Sequence, residues 1–197
     1  MAAGVESTTM GVDHRKLGIW TFLGSEFLFF GAFVAAYLLY LTTTAGGPGV
    51  EIFDIPFTSI SSFVLLMSSL TMVLAHHAHT QGDLRRMRMW ILATAGQGAV
   101  FLGGQVFEFN VFYREGLVYG DSPFASAFYT LTGFHGIHVF IGILMLLGLY
   151  SLSVTGKVKP GQPLKTEMIG LYWNFVDIIW VLIFGVVYLI PELALVD

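Results

Sequence analysis

Five ionisable residues lie inside long apolar stretches of the sequence: Glu26, Glu108, His135, His138 and Asp177. Carboxyl and imidazole groups can transfer protons, hold a ligand or bind a metal ion. Because such groups are costly to place in hydrocarbon, they are functional candidates by default. The alternative is that each group forms a hydrogen bond with a neighbouring helix and only holds the helices together.

The depth of each group follows from the helical rise of about 1.5 Å per residue. Glu26 and Asp177 lie about 14 Å from one end of their helices, and His135 lies about 18 Å from the opposite end. In a hydrocarbon core of about 30 Å these three residues reach nearly the same level. Glu108 lies near the outer interface. The spacing predicts a buried polar layer of Glu26, Asp177 and His135, with Glu108 separate from it.

Two groups of histidines suggest a metal site. His135 and His138 share one helix face, while His76, His77 and His79 form a second run. The second run lies about 10 Å from His135 in depth, which disfavours one shared site. We therefore predict no metal site. We expect headgroup contacts or a helix cap for His76 and His77, and structural hydrogen bonds for His135 and His138.

The composition requires a membrane protein. Of 197 residues, 55% are hydrophobic and 11% are charged, against about 25% charged in soluble domains. The net charge of −4 excludes a nucleic-acid role, and the absence of cysteine excludes disulfides and thiolate chemistry. We predict an all-α, single-domain bundle over residues 1–197 with five transmembrane helices. Their predicted ranges are 17–41, 57–79, 89–112, 123–153 and 168–191.

Charge predicts the orientation of this bundle. Of the nine basic residues, all but Arg114 fall on one side. The positive-inside rule makes that side cytoplasmic, with the N-terminus there and the C-terminus outside. The outer side carries Arg114 and a group of acidic residues: Glu51, Asp54, Glu115, Asp121, Glu192 and Asp197.

Two helices carry packing patterns. The third has four glycines, which allow close helix approach. In the fifth, Trp173, Asp177, Trp180 and Phe184 share one face, for which packing within the chain is the default interpretation.

Several segments together resemble subunit III of the haem–copper respiratory oxidases. They follow the family's order and cover nearly the whole chain. The segments are Ser25-Glu26 with the following Phe27-Leu28-Phe29-Phe30, Ala75-His76-His77 with Gly82-Asp83, Gln105 to Glu108, Thr132 to Val139, and Tyr172 to Asp177 with Trp180 and Tyr188. The chain resembles the shorter five-helix bacterial form. It has Asn174 where the family usually has histidine.

The resemblance implies a non-catalytic, multi-pass subunit of a proton-pumping aa3-type cytochrome c oxidase in the bacterial plasma membrane. Haem a, haem a3 and copper are then expected in partner subunits, with no cofactor in this chain. The implied partners are subunits I and II and phospholipids, with a cytochrome bc complex as a further candidate. Glu26 matches the family's buried carbodiimide-reactive carboxylate, and Glu108, Trp173 and Asn174 lie in matching segments.

Three alternatives remain at this point. The first is subunit III of a quinol oxidase, although Ser25-Glu26 is more similar to the cytochrome c oxidase branch. The second is a membrane di-iron oxygenase using His135, His138, Glu108 and Glu26. The third is a small transporter or proton channel with Glu26 and Asp177 on its path.

Overall fold

The computed structural model describes residues 14–191 and contains five long helices, with no strand in that range. The predicted all-α class is therefore confirmed. A 3₁₀ turn precedes α2, and a five-residue π-helical segment continues α5. The bounds are His14–Tyr40 for α1, Ile55–Thr80 for α2, Leu84–Arg114 for α3, Pro123–Val154 for α4, Leu164–Phe184 for α5, Val50–Ile52 for the 3₁₀ turn and Gly185–Leu189 for the π-helical segment.

Four helices, α1, α2, α4 and α5 with its π-helical continuation, are long and apolar enough to cross a membrane. The remaining helix, α3, has 31 residues, which correspond to about 46 Å of helix. It is less apolar because Gln97, Gln105 and several glycines interrupt its hydrophobic run. The prediction of five helices is confirmed. That α3 also crosses a membrane stays a prediction, because within residues 14–191 only the other four helices combine sufficient length and hydropathy.

Capping residues place the starts of α2 and α3 earlier than hydropathy predicts, while α4 begins at the predicted residue 123. Asp83 caps α3 by accepting a hydrogen bond from the Arg86 amide at 2.9 Å, so α3 begins five residues before the predicted residue 89. Its first turns carry arginines, which a hydropathy pattern leaves out. Asp54 caps α2 and Ser122 caps α4 through amide hydrogen bonds of the same kind. Gly82 adopts a φ of 78°, the left-handed conformation that allows the tight turn from α2 into α3.

Side-chain hydrogen bonds show the relative directions of α2, α3 and α4. Thr71 bonds Thr94 midway along the α2–α3 pair, and Thr58 bonds Glu108 nearer one end. Residue numbers rise along α2 as they fall along α3, so the two helices run antiparallel. The same pattern joins α3 to α4 through Arg88–Ser153 and Gln105–Thr132. From Arg88 to Glu108, α3 therefore packs against α2 and α4.

Apart from Arg114 at the far end of α3, the basic residues of the described range gather at one end of the bundle. Lys16 of α1 forms a 2.6 Å ion pair with Glu167 of α5. Arg88 of α3 bonds the Ser153 hydroxyl and carbonyl at 2.8 and 2.6 Å. That this end is cytoplasmic stays a prediction of the positive-inside rule. The single-domain prediction over residues 1–197 includes residues 1–13 and 192–197, and with them the outer acids Glu192 and Asp197, which lie outside the described range.

Candidate functional site

The first buried carboxylate, Glu26 of α1, pairs with His138 of α4. Glu26 Oε2 lies 3.2 Å from His138 Nε2, and His138 Nδ1 lies 2.7 Å from the Phe134 carbonyl oxygen. A carbonyl only accepts, so Nδ1 must carry a proton. The Nε2–Oε2 contact then needs one further proton, held either as a carboxylic acid or as an imidazolium. The pair therefore joins α1 to α4 through one hydrogen bond.

Aromatic rings surround the Glu26–His138 pair. The Phe30 ring lies 5.1 Å from the His138 ring, and Phe29 packs against Phe134 at 5.5 Å. Tyr172 of α5 donates a hydrogen bond to the His138 carbonyl at 3.1 Å. The side chains of Glu26 and His138 retain 19% and 14% exposure. These contacts hold the pair in apolar surroundings at the edge of the bundle.

The second carboxylate, Asp177 of α5, accepts a hydrogen bond from Ser69 of α2. Two tryptophans flank it on the same helix face. Trp173 Nε1 donates to Ser68 Oγ, and Trp180 Nε1 donates to Ser62 Oγ, both at 2.8 Å. The prediction that this face of α5 packs within the chain is therefore confirmed.

Three of these partners form a serine stripe on α2, comprising Ser62, Ser68 and Ser69, that sequence reasoning missed. Ser62 and Ser69 are seven positions apart, which places them on one side of the helix, and Ser68 adjoins Ser69; this spacing is the signal that could have identified them.

The third carboxylate, Glu108 of α3, lies near the end of the bundle opposite the basic residues. It accepts a hydrogen bond from Thr58 of α2, and only 5% of its surface is exposed. Glu108 is thus bound locally and lies apart from Glu26 and Asp177, as the depth calculation predicts.

His135 departs from its predicted role. The residue is fully buried, yet neither ring nitrogen has a hydrogen-bond partner. Its ring instead stacks on Trp180 with centroids 4.9 Å apart and meets the Phe101 ring edge-on at 6.0 Å. The expected structural hydrogen bond is present for His138 and absent for His135. The predicted layer of Glu26, Asp177 and His135 is therefore divided among three separate sets of contacts.

The second histidine run lies at the end of α2. His77 is exposed there, whereas His76 Nε2 is buried without a partner. His79 is fully buried, with Nε2 bonded to the Lys159 carbonyl at 3.0 Å and Nδ1 to the Thr166 hydroxyl at 2.7 Å. Sequence reasoning grouped His79 with its neighbours and missed its role in tying the α4–α5 loop to α2.

The residues of the di-iron alternative do not converge. Glu26 pairs with His138, while Glu108 is held by Thr58 on another helix. Among residues 14–191, no group of three or more histidine and carboxylate side chains has the geometry of a metal site. The arrangement provides hydrogen-bonded pairs between helices, which fix helix contacts.

Long apolar helices joined by buried polar pairs define a helical membrane protein. The family model described as cytochrome c oxidase subunit III matches residues 5–191. The chain belongs to this family, whose members are subunits of respiratory oxidase complexes, and other oxidase subunits are therefore its partners.

Related proteins extend over nearly the full length. Cytochrome c oxidase subunit 3 of Bacillus sp. (strain PS3) is 40% identical over 95% of this chain and 91% of its own length. The subunit of the same name from Thermostichus vulcanus is 40% identical over 98% of this chain and 100% of its own length. Quinol oxidase subunit 3 of Bacillus spizizenii is 37% identical over 88% of this chain and 85% of its own length.

Proposed function

We propose that this chain is subunit III of an aa3-type, proton-pumping cytochrome c oxidase in a bacterial plasma membrane. In this role it carries no redox centre, stabilises subunit I, holds phospholipids and supports proton uptake. The observation that carries the proposal is the family match over residues 5–191. The 40% identity to two cytochrome c oxidase subunits and the Ser25-Glu26 pair favour cytochrome c as electron donor.

The 37% identity to a quinol oxidase subunit makes quinol the competing donor. We expect a complex purified through a tag on this chain to contain haem a and to consume oxygen with reduced cytochrome c. Oxygen consumption should be slow with a soluble quinol. The measurement is the ratio of the two rates, with the untagged strain as control. A complex that oxidises only quinol would assign the chain to the quinol oxidase branch.

The Glu26–His138 pair is proposed to stabilise the subunit rather than to conduct pumped protons. Its hydrogen bonds end at the Phe134 carbonyl, which cannot pass a proton onward. The nearby rings of Phe29 and Phe30 offer no proton acceptor. The Glu26–His138 hydrogen bond is therefore proposed to hold α1 against α4.

Glu26→Ala is expected to leave the pumping stoichiometry of the first turnovers unchanged and to shorten the working lifetime of the complex several-fold. Removing the carboxyl leaves His138 Nε2 without its partner and loosens the α1–α4 contact. The measurement follows oxygen consumption and proton release in vesicles from the first turnover to inactivation. Glu26→Gln, which keeps a hydrogen-bonding side chain of the same size, serves as the matched control. Reduced stoichiometry in the first turnovers would instead place Glu26 on the pumping route.

A further inference from the structure

Four residues form a closed set of contacts across α1, α4 and α5. Glu26 of α1 bonds the His138 ring of α4 at 3.2 Å, and the His138 carbonyl accepts from the Tyr172 hydroxyl of α5 at 3.1 Å. The Tyr172 ring stacks on Phe22 of α1, with centroids 6.5 Å apart and 19° between the ring planes. Phe22 and Glu26 are four residues apart, about one helical turn, so the set closes within α1. These four residues are called the Tyr172 cluster below.

Within the cluster, Tyr172 is the member that contacts both helices of the Glu26–His138 pair. Its ring contacts α1 and its hydroxyl contacts α4, while its backbone belongs to α5. The side chain is 4% exposed and adjoins Trp173, which is fully buried. Tyr172 therefore connects the two helices that carry the pair to the buried part of the bundle.

The approach of Tyr172 to α4 depends on Gly142. In an α-helix the amide of residue 142 bonds the carbonyl of residue 138, so the Tyr172 hydroxyl reaches its acceptor beside Gly142. A Cβ at this position would lie 3.4 Å from Cε1 of Tyr172, which shows that the ring packs directly on the α4 backbone. A carbonyl oxygen has two lone pairs and can accept both hydrogen bonds. The hydroxyl thus holds the part of α4 from which the His138 ring projects.

The Glu26–His138 contact needs such support because it lies at the edge of the bundle. The two side chains retain 19% and 14% exposure, and α1 packs mainly against α4 and α5. Phe27 and Leu28, next along α1, are 52% and 74% exposed. The 3.2 Å contact is at the long end of the range for an N–H···O bond. A small displacement of α1 from α4 therefore breaks it.

We propose that Tyr172 is the positioning residue of the Glu26–His138 pair: its hydroxyl holds the His138 backbone, and its ring holds α1 at Phe22. The proposal rests on the proposed function and deepens it, because it names the α5 residue that keeps the pair together in the assembled oxidase. Without the Tyr172 hydroxyl, α4 loses its link to α5 beside His138, and the pair separates. The freed Glu26 carboxyl then faces the surrounding lipid.

Labelling with dicyclohexylcarbodiimide tests this role in the intact complex, because the reagent enters lipid and forms an adduct with a carboxyl group. Mass spectrometry of the Glu26 peptide measures the labelling rate. Tyr172→Phe removes one oxygen and keeps the ring, and we expect it to raise the rate several-fold, toward that of His138→Ala. The matched control is Tyr129→Phe, which should label at the parent rate. The Tyr129 hydroxyl also donates to a backbone carbonyl, that of Leu117 at 2.8 Å, but lies outside the Tyr172 cluster.

A second pair of variants tests the contact with α1. Phe22→Ala removes the ring that stacks on Tyr172 and should also raise the rate of Glu26 labelling. Phe27→Ala is its matched control, since both phenylalanines are partly exposed on α1, at 43% and 52%. Phe27→Ala should label at the parent rate. If Tyr172→Phe does not assemble, the comparison of these two variants decides.

A double-mutant cycle separates positioning from general stabilisation. Tyr172→Phe should shorten the working lifetime of the parent complex several-fold and add nothing in the Glu26→Ala background, because the pair is already broken there. Additive shortening, or a parent labelling rate in Tyr172→Phe or in His138→Ala, would overturn the proposal. Failure of the proposed function looks different, since the tagged chain would then purify without any haem-containing subunit while the labelling rates still report on the pair.

Discussion

Gly98→Ala is expected to destabilise the subunit severely and to prevent assembly of the oxidase. A Cβ atom at position 98 would lie 2.5 Å from Cη2 of Trp173, well inside van der Waals contact. The indole cannot move aside easily, because it is fully buried and its Nε1 donates to Ser68. A Cβ at Gly142 would approach the same ring within 2.8 Å, at Cε3 and Cζ3. Trp173 of α5 thus inserts between two glycines, one on α3 and one on α4.

Overpacking of this kind costs about 1–3 kcal/mol or more, and a fully buried rigid ring that two glycines approach closely places the cost at the upper end. The measurement is the thermal denaturation of the purified complex in detergent, together with its yield from membranes. Gly96→Ala and Gly103→Ala are matched controls in the same helix, because a Cβ there meets nothing within 4 Å. Both controls should be neutral or slightly stabilising, since alanine favours a helix by up to about 1 kcal/mol over glycine.

A smaller ring should rescue the glycine variant. Trp173→Phe removes the part of the indole that approaches position 98, so adding it to Gly98→Ala should restore part of the lost stability. A double-mutant cycle measures this coupling. Additive losses in the cycle, or a Gly98→Ala complex as stable as Gly96→Ala, would show that Trp173 is not confined as described.

The contrast between Gly98 and Gly96 shows where sequence reasoning reaches its limit. Small residues in α3 indicate close helix packing, and that interpretation agrees with the structure at Gly98 and Gly104, which face α5 and α2. The pattern does not distinguish these positions from Gly96 or Gly103. Which glycine faces the indole depends on the rotation of three helices about their own axes. That rotation is set by packing between helices that are distant in the sequence, so the local sequence around each glycine does not reveal it.

The candidate site shows the same division. Helical rise alone placed Glu26, Asp177 and His135 near one level and kept Glu108 apart. The partners could not be derived in this way. Glu26 meets His138 rather than His135, because three residues further along a helix the side chain points about 60° to one side. The fold class, the number of helices and the presence of buried carboxylates follow from hydropathy and spacing. The hydrogen-bond partner of each buried group follows only from the packed structure.

Trp180→Ala is expected to produce the second large loss of stability, about 3–5 kcal/mol. The Trp180 side chain is only 1% exposed, and its ring packs edge-on against Phe101 with centroids 4.7 Å apart. It also forms the stacking face for His135, whose nitrogens have no hydrogen bonds. Removing the indole therefore opens a large cavity and leaves the imidazole without its stacking partner. Thermal denaturation of the purified complex measures the loss.

Two variants separate the contributions of ring volume and the indole N–H. Trp180→Phe keeps much of the volume and loses the bond to Ser62, which still donates to the Thr58 carbonyl at 2.6 Å. This variant should lose only about 1 kcal/mol for the hydrogen bond, plus a small packing cost. Trp20→Ala is the matched control, since Trp20 is 60% exposed on α1 and its removal opens no internal cavity. Equal losses at Trp20 and Trp180 would mean that the Phe101–His135–Trp180 cluster does not stabilise the bundle. A loss confined to Trp180 would make this cluster the centre on which α3, α4 and α5 pack.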